Sequence, residues 1–207
     1  MSDTHILQIT KFWLADSESD PSAADGRRDW WYRGGATVDE EIRQRFGELV
    51  ERAIDDAFAD WERTPSGSLA LILLLDQFTR NLYRHTPAAY AGDARAFEVV
   101  SRAIEMGLDS DMHPVSRIWL YHPFHHSESV ALQDRGLASL NELHREAPSS
   151  WGAYITRSIE GWTRHRNIVA EYGRFPHRNA VLGRVSSAAE ERYLEGKPDA
   201  FGQGSAG

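Results

Sequence analysis

Seven consecutive positions, Leu69-Ala-Leu-Ile-Leu-Leu-Leu75, carry no polar side chain, and the run passes without a breaker into Asp76-Gln77-Phe78-Thr79-Arg80-Asn81-Leu82-Tyr83. The stretch is too long for a typical strand and rich in leucine rather than β-branched residues, so it reads as helix. A helix that is apolar on every side belongs at the centre of a fold, with other elements packed around it. Its second half then poses a problem, because charged and amide groups that follow an all-round apolar run must find partners inside the protein. Asp76 and Arg80, like Gln77 and Asn81, stand four residues apart and can meet on the helix surface. Two readings follow: an internal ion pair that organises neighbouring loops, or a polar pocket at the C-terminal end of the helix.

The rest of the chain has helical periodicity. Val38, Ile42, Phe46, Leu49, Val50, Ala53, Ile54, Ala57 and Phe58 form one stripe of a helix predicted over Thr37 to Ala59. Thr37 is its expected N-cap, Glu40 completes a capping box, and Asp39, Glu40 and Glu41 suit a first turn. Thr64-Pro65-Ser66-Gly67 breaks the chain. Further helices are expected over Ala89 to Met106, Pro114 to His122, Ser127 to Glu146 (Ser127 as N-cap) and Trp151 to Tyr172, with Gly107 and Gly173 as stops. A last helix runs to Leu194 behind a Ser187/Glu190 capping box. Asp16 to Gly35 reads as a long irregular connection tied to the core by Trp30, Trp31 and Tyr32. No segment alternates with period two between turn signals, so the expected class is all-α: one domain over residues 5–195, with a disordered tail over 196–207.

Composition narrows the function classes. Hydrophobic residues make up 41% of the 207 and suffice for a core, while the absence of cysteine removes disulfides, thiolate metal sites and cysteine nucleophiles. A net charge of −8 argues against a broad electrostatic grip on nucleic acid or anionic membrane. No apolar run reaches the length of a membrane span and no secretion signal is visible, so the expected compartment is the cytoplasm.

Two more polar constellations stand out. His122-Pro-Phe-His125-His126-Ser127-Glu128 invites a metal, yet its spacing matches no helical zinc motif, and no metal or other cofactor is expected. The other begins with His165 and continues through Tyr172-Gly-Arg174-Phe-Pro-His177-Arg178-Asn179-Ala-Val-Leu-Gly-Arg184; seven arginines face three acids between positions 145 and 184 of an otherwise acidic chain. Arginine forks bind carboxylate and phosphate, and a histidine beside them can move a proton near neutral pH. The same arginines can equally dock a loop onto the acids of earlier helices.

Leu73-Leu-Leu-Asp-Gln-Phe-Thr-Arg-Asn-Leu-Tyr-Arg84, Pro123-Phe-x-His-Ser-Glu128 and the segment from Tyr172 to Arg184 together resemble the bacterial domain of unknown function 924 family, whose members typically read DQFPRN, PFxHSE and FGRFPHRNxxLGR. The resemblance extends over about residues 5 to 195, including Phe12-Trp13, Asp39, Phe46 and Asp93. Thr79 replaces a usual proline, Tyr172 a usual phenylalanine, and His122 and His125 lie outside the pattern. The resemblance implies a tetratricopeptide-like fold of antiparallel helix pairs in a right-handed array, and it brings no established activity.

Three function hypotheses remain. The first is a pocket for a small anionic metabolite, with Asp76, Gln77, Arg80, Asn81, His165, Arg174, Arg178, Asn179 and Arg184 as candidate binding residues. In it His126, Glu128 and His177 are candidates for metal-independent acid–base chemistry, Glu128 orienting a histidine. The second is a helical scaffold that binds a protein or peptide in a groove; independently of these, the exposed faces of an acidic helical array could support a homodimer. The third is a buried polar network that only fixes helix order.

Overall fold

The computed structural model describes residues 2–196, and the tail expected over 196–207 lies almost wholly outside them. Among the described residues there is no strand. The helices are α1 (Ser2–Leu14), α2 (Pro21–Arg33), α3 (Gly35–Ile54), α4 (Pro65–Ile72), α5 (Thr79–Leu82), α6 (Asp93–Glu105), α7 (Pro114–His126), α8 (Val130–Glu146), α9 (Gly152–Tyr172) and α10 (Ala188–Glu195). A π-helical segment, Leu73–Phe78, joins α4 to α5, so 65–82 is one continuous rod. Every residue from Gly67 to Leu82 is buried, as an all-round apolar helix requires.

Helices α1, α3, α6 and α7 surround this rod. Its Phe78 ring is the hub of an aromatic cluster, with ring centroids 5.3 Å from Phe46, 5.6 Å from Trp13 and 6.0 Å from Phe12. Helices α8 and α9 form an outer layer, α8 packing on both α7 and α9. The connections from α7 to α8 and from α8 to α9 are short, which makes consecutive helices antiparallel, an arrangement compatible with tetratricopeptide-like stacking. The close approach in this layer needs Gly136, where a Cβ would stand 2.7 Å from that of Phe124. One hydrophobic core runs from Ile6 to Trp162. No helix among the described residues is long and apolar enough to cross a membrane.

The structure corrects several boundaries. Asp16 to Gly35 is not irregular: Asp20 caps α2 by accepting from the Ser22 and Ala23 amides (2.8 and 3.0 Å), with Pro21 in the first turn. Only Ala24 and Trp31 of α2 are buried, so it carries no apolar stripe to read. Its role is to satisfy the end of α1: Arg27 and the Trp31 indole donate to the carbonyls of Phe12 and Trp13 (2.6 and 2.9 Å). Helix α3 begins at Gly35 rather than after a Thr37 cap, leaving Asp39 to bind Arg84 and Asn81. It ends at Ile54, not Ala59, because Asp56 and Phe58 take left-handed backbone angles (φ +61° and +71°) that turn Phe58 onto Trp61. Ala89 and Tyr90 belong to a separate 3₁₀ turn, and α6 starts at Asp93. Helix α7 passes through Pro123 to His126; burial on all faces from Pro114 to His125 outweighs the hydrogen bond that proline removes. Ser127 therefore ends α7 instead of capping α8, its hydroxyl accepting from the Ser129 amide. The Gly173 stop and the Ser187/Glu190 capping box are as expected.

Two glycines give a paired test. At Gly92 a Cβ would lie 2.2 Å from the Leu75 carbonyl oxygen, so α6 can approach the rod only without a side chain; at Gly47, inside α3, nothing lies within 4 Å. Gly47→Ala is expected to raise unfolding stability by about 0.5 to 1 kcal/mol and Gly92→Ala to lower it by about 1 to 3 kcal/mol, as measured by urea titration. Equal effects of the two would contradict this packing.

Candidate functional site

Asp76 lies in the π segment, where side chains bond main-chain carbonyls: the Thr79 hydroxyl donates to Leu75 (2.8 Å) and Arg80 Nη1 to Asp76 (2.7 Å). The Asp76 carboxylate is fully buried. It lies 3.1 Å from Arg80 Nη1, accepts from the Gln77 amide, and holds His126 Nδ1 at 2.8 and 2.9 Å from its two oxygens. Arg80 continues to Asp93 at the start of α6, with Nη1–Oδ1 3.0 Å and Nη2–Oδ2 3.2 Å. The second of these is a hydrogen bond; Asp93 Oδ1 is buried with no aligned donor among the described residues.

Beside this chain of charges lies a cavity of about 370 Å³. Asp76, Tyr90, Asp93, His126, Glu128 and Arg178 supply its polar wall; Ala94, Phe97, Pro123, Leu132 and Leu182 supply the apolar one, with Ser127 at the join. Burial, followed by the charges of Arg80 and neighbouring histidines, holds His126 well below the usual imidazole range. It is therefore neutral at pH 7. Because Nδ1 faces both oxygens of the Asp76 carboxylate, the one ring proton sits on Nδ1, and Nε2 is left as an acceptor with no partner among the described residues. Such a nitrogen can accept a hydrogen bond or take a proton. Burial raises the Asp93 carboxyl above its ordinary range, and the nearby Asp76 adds to this.

Arg178 is unlike the other arginines here. It is 7% exposed and stacks its guanidinium over Phe175 and Tyr90 (4.4 and 4.8 Å to the ring centres). Among the described residues no carboxylate pairs with it, and its Nε is buried without a hydrogen bond. Burial, then repulsion from Arg80, lowers its pKa, so the charge is held against a desolvation cost.

The remaining motif residues hold the loop that carries Arg178. Glu128 accepts from both Arg184 Nη atoms (2.6 and 3.0 Å) and from the Phe175 amide (2.9 Å). Burial alone would raise the Glu128 carboxyl, but these donors outweigh it and keep it below its ordinary range. Arg184 also binds Asn179 and the Phe175 carbonyl, and Asn179 binds Ser186. Arg174 forks onto Glu190 (2.6 and 2.8 Å), which closes the capping box of α10. Glu128 thus serves arginine and backbone; the carboxylate that orients a histidine is Asp76, correcting the sequence expectation.

Of the candidate residues, Asp76, His126, Glu128 and Arg178 line one cavity. Arg80 and Gln77 bind Asp76 beside it. Asn81 faces Asp39 on α3, 2.7 Å away, while Arg174, Asn179 and Arg184 build the loop. His177 adjoins Phe175 (5.5 Å between rings), outside the cavity lining. The cavity-lining Tyr90 was not singled out from the sequence, and Asp93 only as a family position; no periodicity shows which face of a short turn or helix start meets a distant motif.

Behind His126 the histidines collect. His125 lies 3.9 Å from His165 and stacks on Trp162 (4.7 Å), and His122 stacks on Trp119 (4.2 Å). Burial is the leading cause that lowers all of them: His122 and His177 to about 4, His165 to about 3, His125 well below the usual value. No group of histidines and carboxylates among the described residues has the geometry to hold a metal ion. Because the folded-state values are depressed, the unfolded chain binds more protons once the pH falls below about 6.5. Stability is then fully present above that pH and declines as pH drops toward the folded values. Urea unfolding between about pH 7.5 and pH 5 should show a continuous loss approaching a few kcal/mol, with a shallower slope in His125→Asn. A flat profile would contradict the neutral, buried histidines.

Comparison with known proteins agrees with the sequence motifs. A family described as bacterial protein of unknown function, DUF924, matches residues 9–197. A solved protein of unknown function from Agrobacterium tumefaciens, ATU0120, is 31% identical, with a TM-score of 0.79, and the match covers 95% of this chain and 99% of that one. No curated protein matches. The chain belongs to the DUF924 family.

Proposed function

We propose that the cavity between the π segment, α6, α7 and the Arg178 loop binds a small anionic molecule, and that this is the protein's function in the cytoplasm. The observation that carries the reading is Arg178: a cation 7% exposed, lining a cavity, with no carboxylate partner among the described residues. Every other arginine of the C-terminal motif is paired, Arg174 with Glu190 and Arg184 with Glu128. A fold that needed only a buried polar network would pair this one too, since an uncompensated buried charge is costly. The aromatic faces of Tyr90 and Phe175 fix the guanidinium plane, which suits forked recognition of an oxyanion. The volume falls within the usual range of small-molecule sites. The neutral His126, oriented by Asp76, gives the site an acceptor that can also serve as a base.

Arg178→Met separates a ligand anchor from a structural arginine. Methionine keeps the volume and the aromatic contacts but removes the charge. In the free protein the variant is expected to be as stable as the parent or more stable, by about 1 to 3 kcal/mol. In a thermal-shift screen against small carboxylates and phosphates, the parent should be stabilised by one of these classes and the variant by none. Marked destabilisation of the variant, with no anion that shifts the parent, would assign Arg178 to the structural network instead.

A further inference from the structure

The charge inventory of the cavity bears on the kind of anion, and the following inference rests on the reading of Arg178 as its anchor. Arg80 pairs with both Asp76 and Asp93, Glu128 is matched by Arg184, and Arg178 lines the cavity with no carboxylate partner among the described residues. A doubly charged phosphate would meet the carboxyl groups of Asp76, Asp93 and Glu128 in the lining, with one unpaired cation among the described residues to hold it. A carboxylate brings one charge to that cation. Two polar groups then remain without a hydrogen bond among the described residues, the His126 Nε2 acceptor and the Tyr90 hydroxyl, whereas Asp93 Oδ1 is shielded beside Arg80 Nη1 at 3.0 Å. The unfilled His126 acceptor calls for a donor on the ligand. The lining residues Ala94, Phe97, Leu132 and Leu182 offer only apolar side-chain contact.

We infer that the cavity takes a small carboxylic acid with an apolar body and an O–H or N–H donor on the carbon next to the carboxylate, the chemistry shared by 2-hydroxy and 2-amino acids. The carboxylate meets Arg178 and the Tyr90 hydroxyl, the donor meets His126 Nε2, and the apolar body fills the wall formed by α6 and α8. A site with a buried acceptor discriminates strongly against an analogue that lacks the donor, because that acceptor loses water and gains nothing.

The test compares ligands rather than variants, so it does not depend on a mutant's folding. Butanoate, 4-methylpentanoate and 3-phenylpropanoate are titrated calorimetrically into the protein beside their 2-hydroxy and 2-amino counterparts, with inorganic phosphate and a phosphate monoester alongside. For at least one skeleton the 2-hydroxy or the 2-amino acid should bind at least tenfold more tightly than the unsubstituted acid, and the two arms identify the donor. Equal affinities across a skeleton would overturn the inference, as would Arg178-dependent binding of phosphates alone, which would leave the anion site itself standing. Binding of no carboxylate and no phosphate would overturn both.

Discussion

The Asp76 carboxylate is the contact on which the rest of the site depends. A charge with no exposure to water is sustained only by donors placed around it, and here they come from separate elements: Gln77 from the π segment, Arg80 from α5 and His126 from α7. Arg80 passes the pairing on to Asp93, which fixes the start of α6. One buried anion thereby sets the relative positions of the central rod and two helices packed on it, and leaves His126 with a defined tautomer. Removing one member of such a set typically costs about 3 to 5 kcal/mol, because the others stay buried and uncompensated.

Along the π turn and α5 the side chains also bind the main chain: the carbonyls of Leu75 and Asp76 accept from the Thr79 hydroxyl and the Arg80 guanidinium. The C-terminal loop is organised on a similar principle, with side chains in place of a helix ladder. Glu128–Arg184 and Arg174–Glu190 anchor it at two points, offsetting the entropy of ordering the segment between them. Arg178 sits between these anchors, held by aromatic faces instead of a counter-charge. Paired arginines build the loop, and the unpaired one reaches the cavity.

Much of this was legible in the sequence because it follows from period and placement. The all-round apolar run had to be the centre, and Asp76 and Arg80 four residues apart had to meet. Gly173 and the Ser187/Glu190 pair marked helix ends through local chemistry. What escaped depends on tertiary context. Helix α2 buries too little to show a stripe, and its stability comes from the Asp20 cap and the carbonyls of α1. Pro123 looked like a boundary because its cost is local while the burial that outweighs it is not. Within the site, sequence could gather the arginines but not sort them. Which one lacks a carboxylate depends on Glu128 and Glu190, 62 residues from one another in the chain yet both folded against the same loop.

The state of His126 tests the central claim most directly. Long-range proton–nitrogen NMR at pH 7 should show a neutral imidazole with the proton on Nδ1 and an unprotonated Nε2, the tautomer that a hydrogen bond to Asp76 imposes, and the ring should stay neutral as the pH falls through 6.5. An imidazolium at neutral pH, or a ring protonated on Nε2, would contradict the account: the buried carboxylate would then not orient His126, and the acceptor assigned to the cavity would be missing.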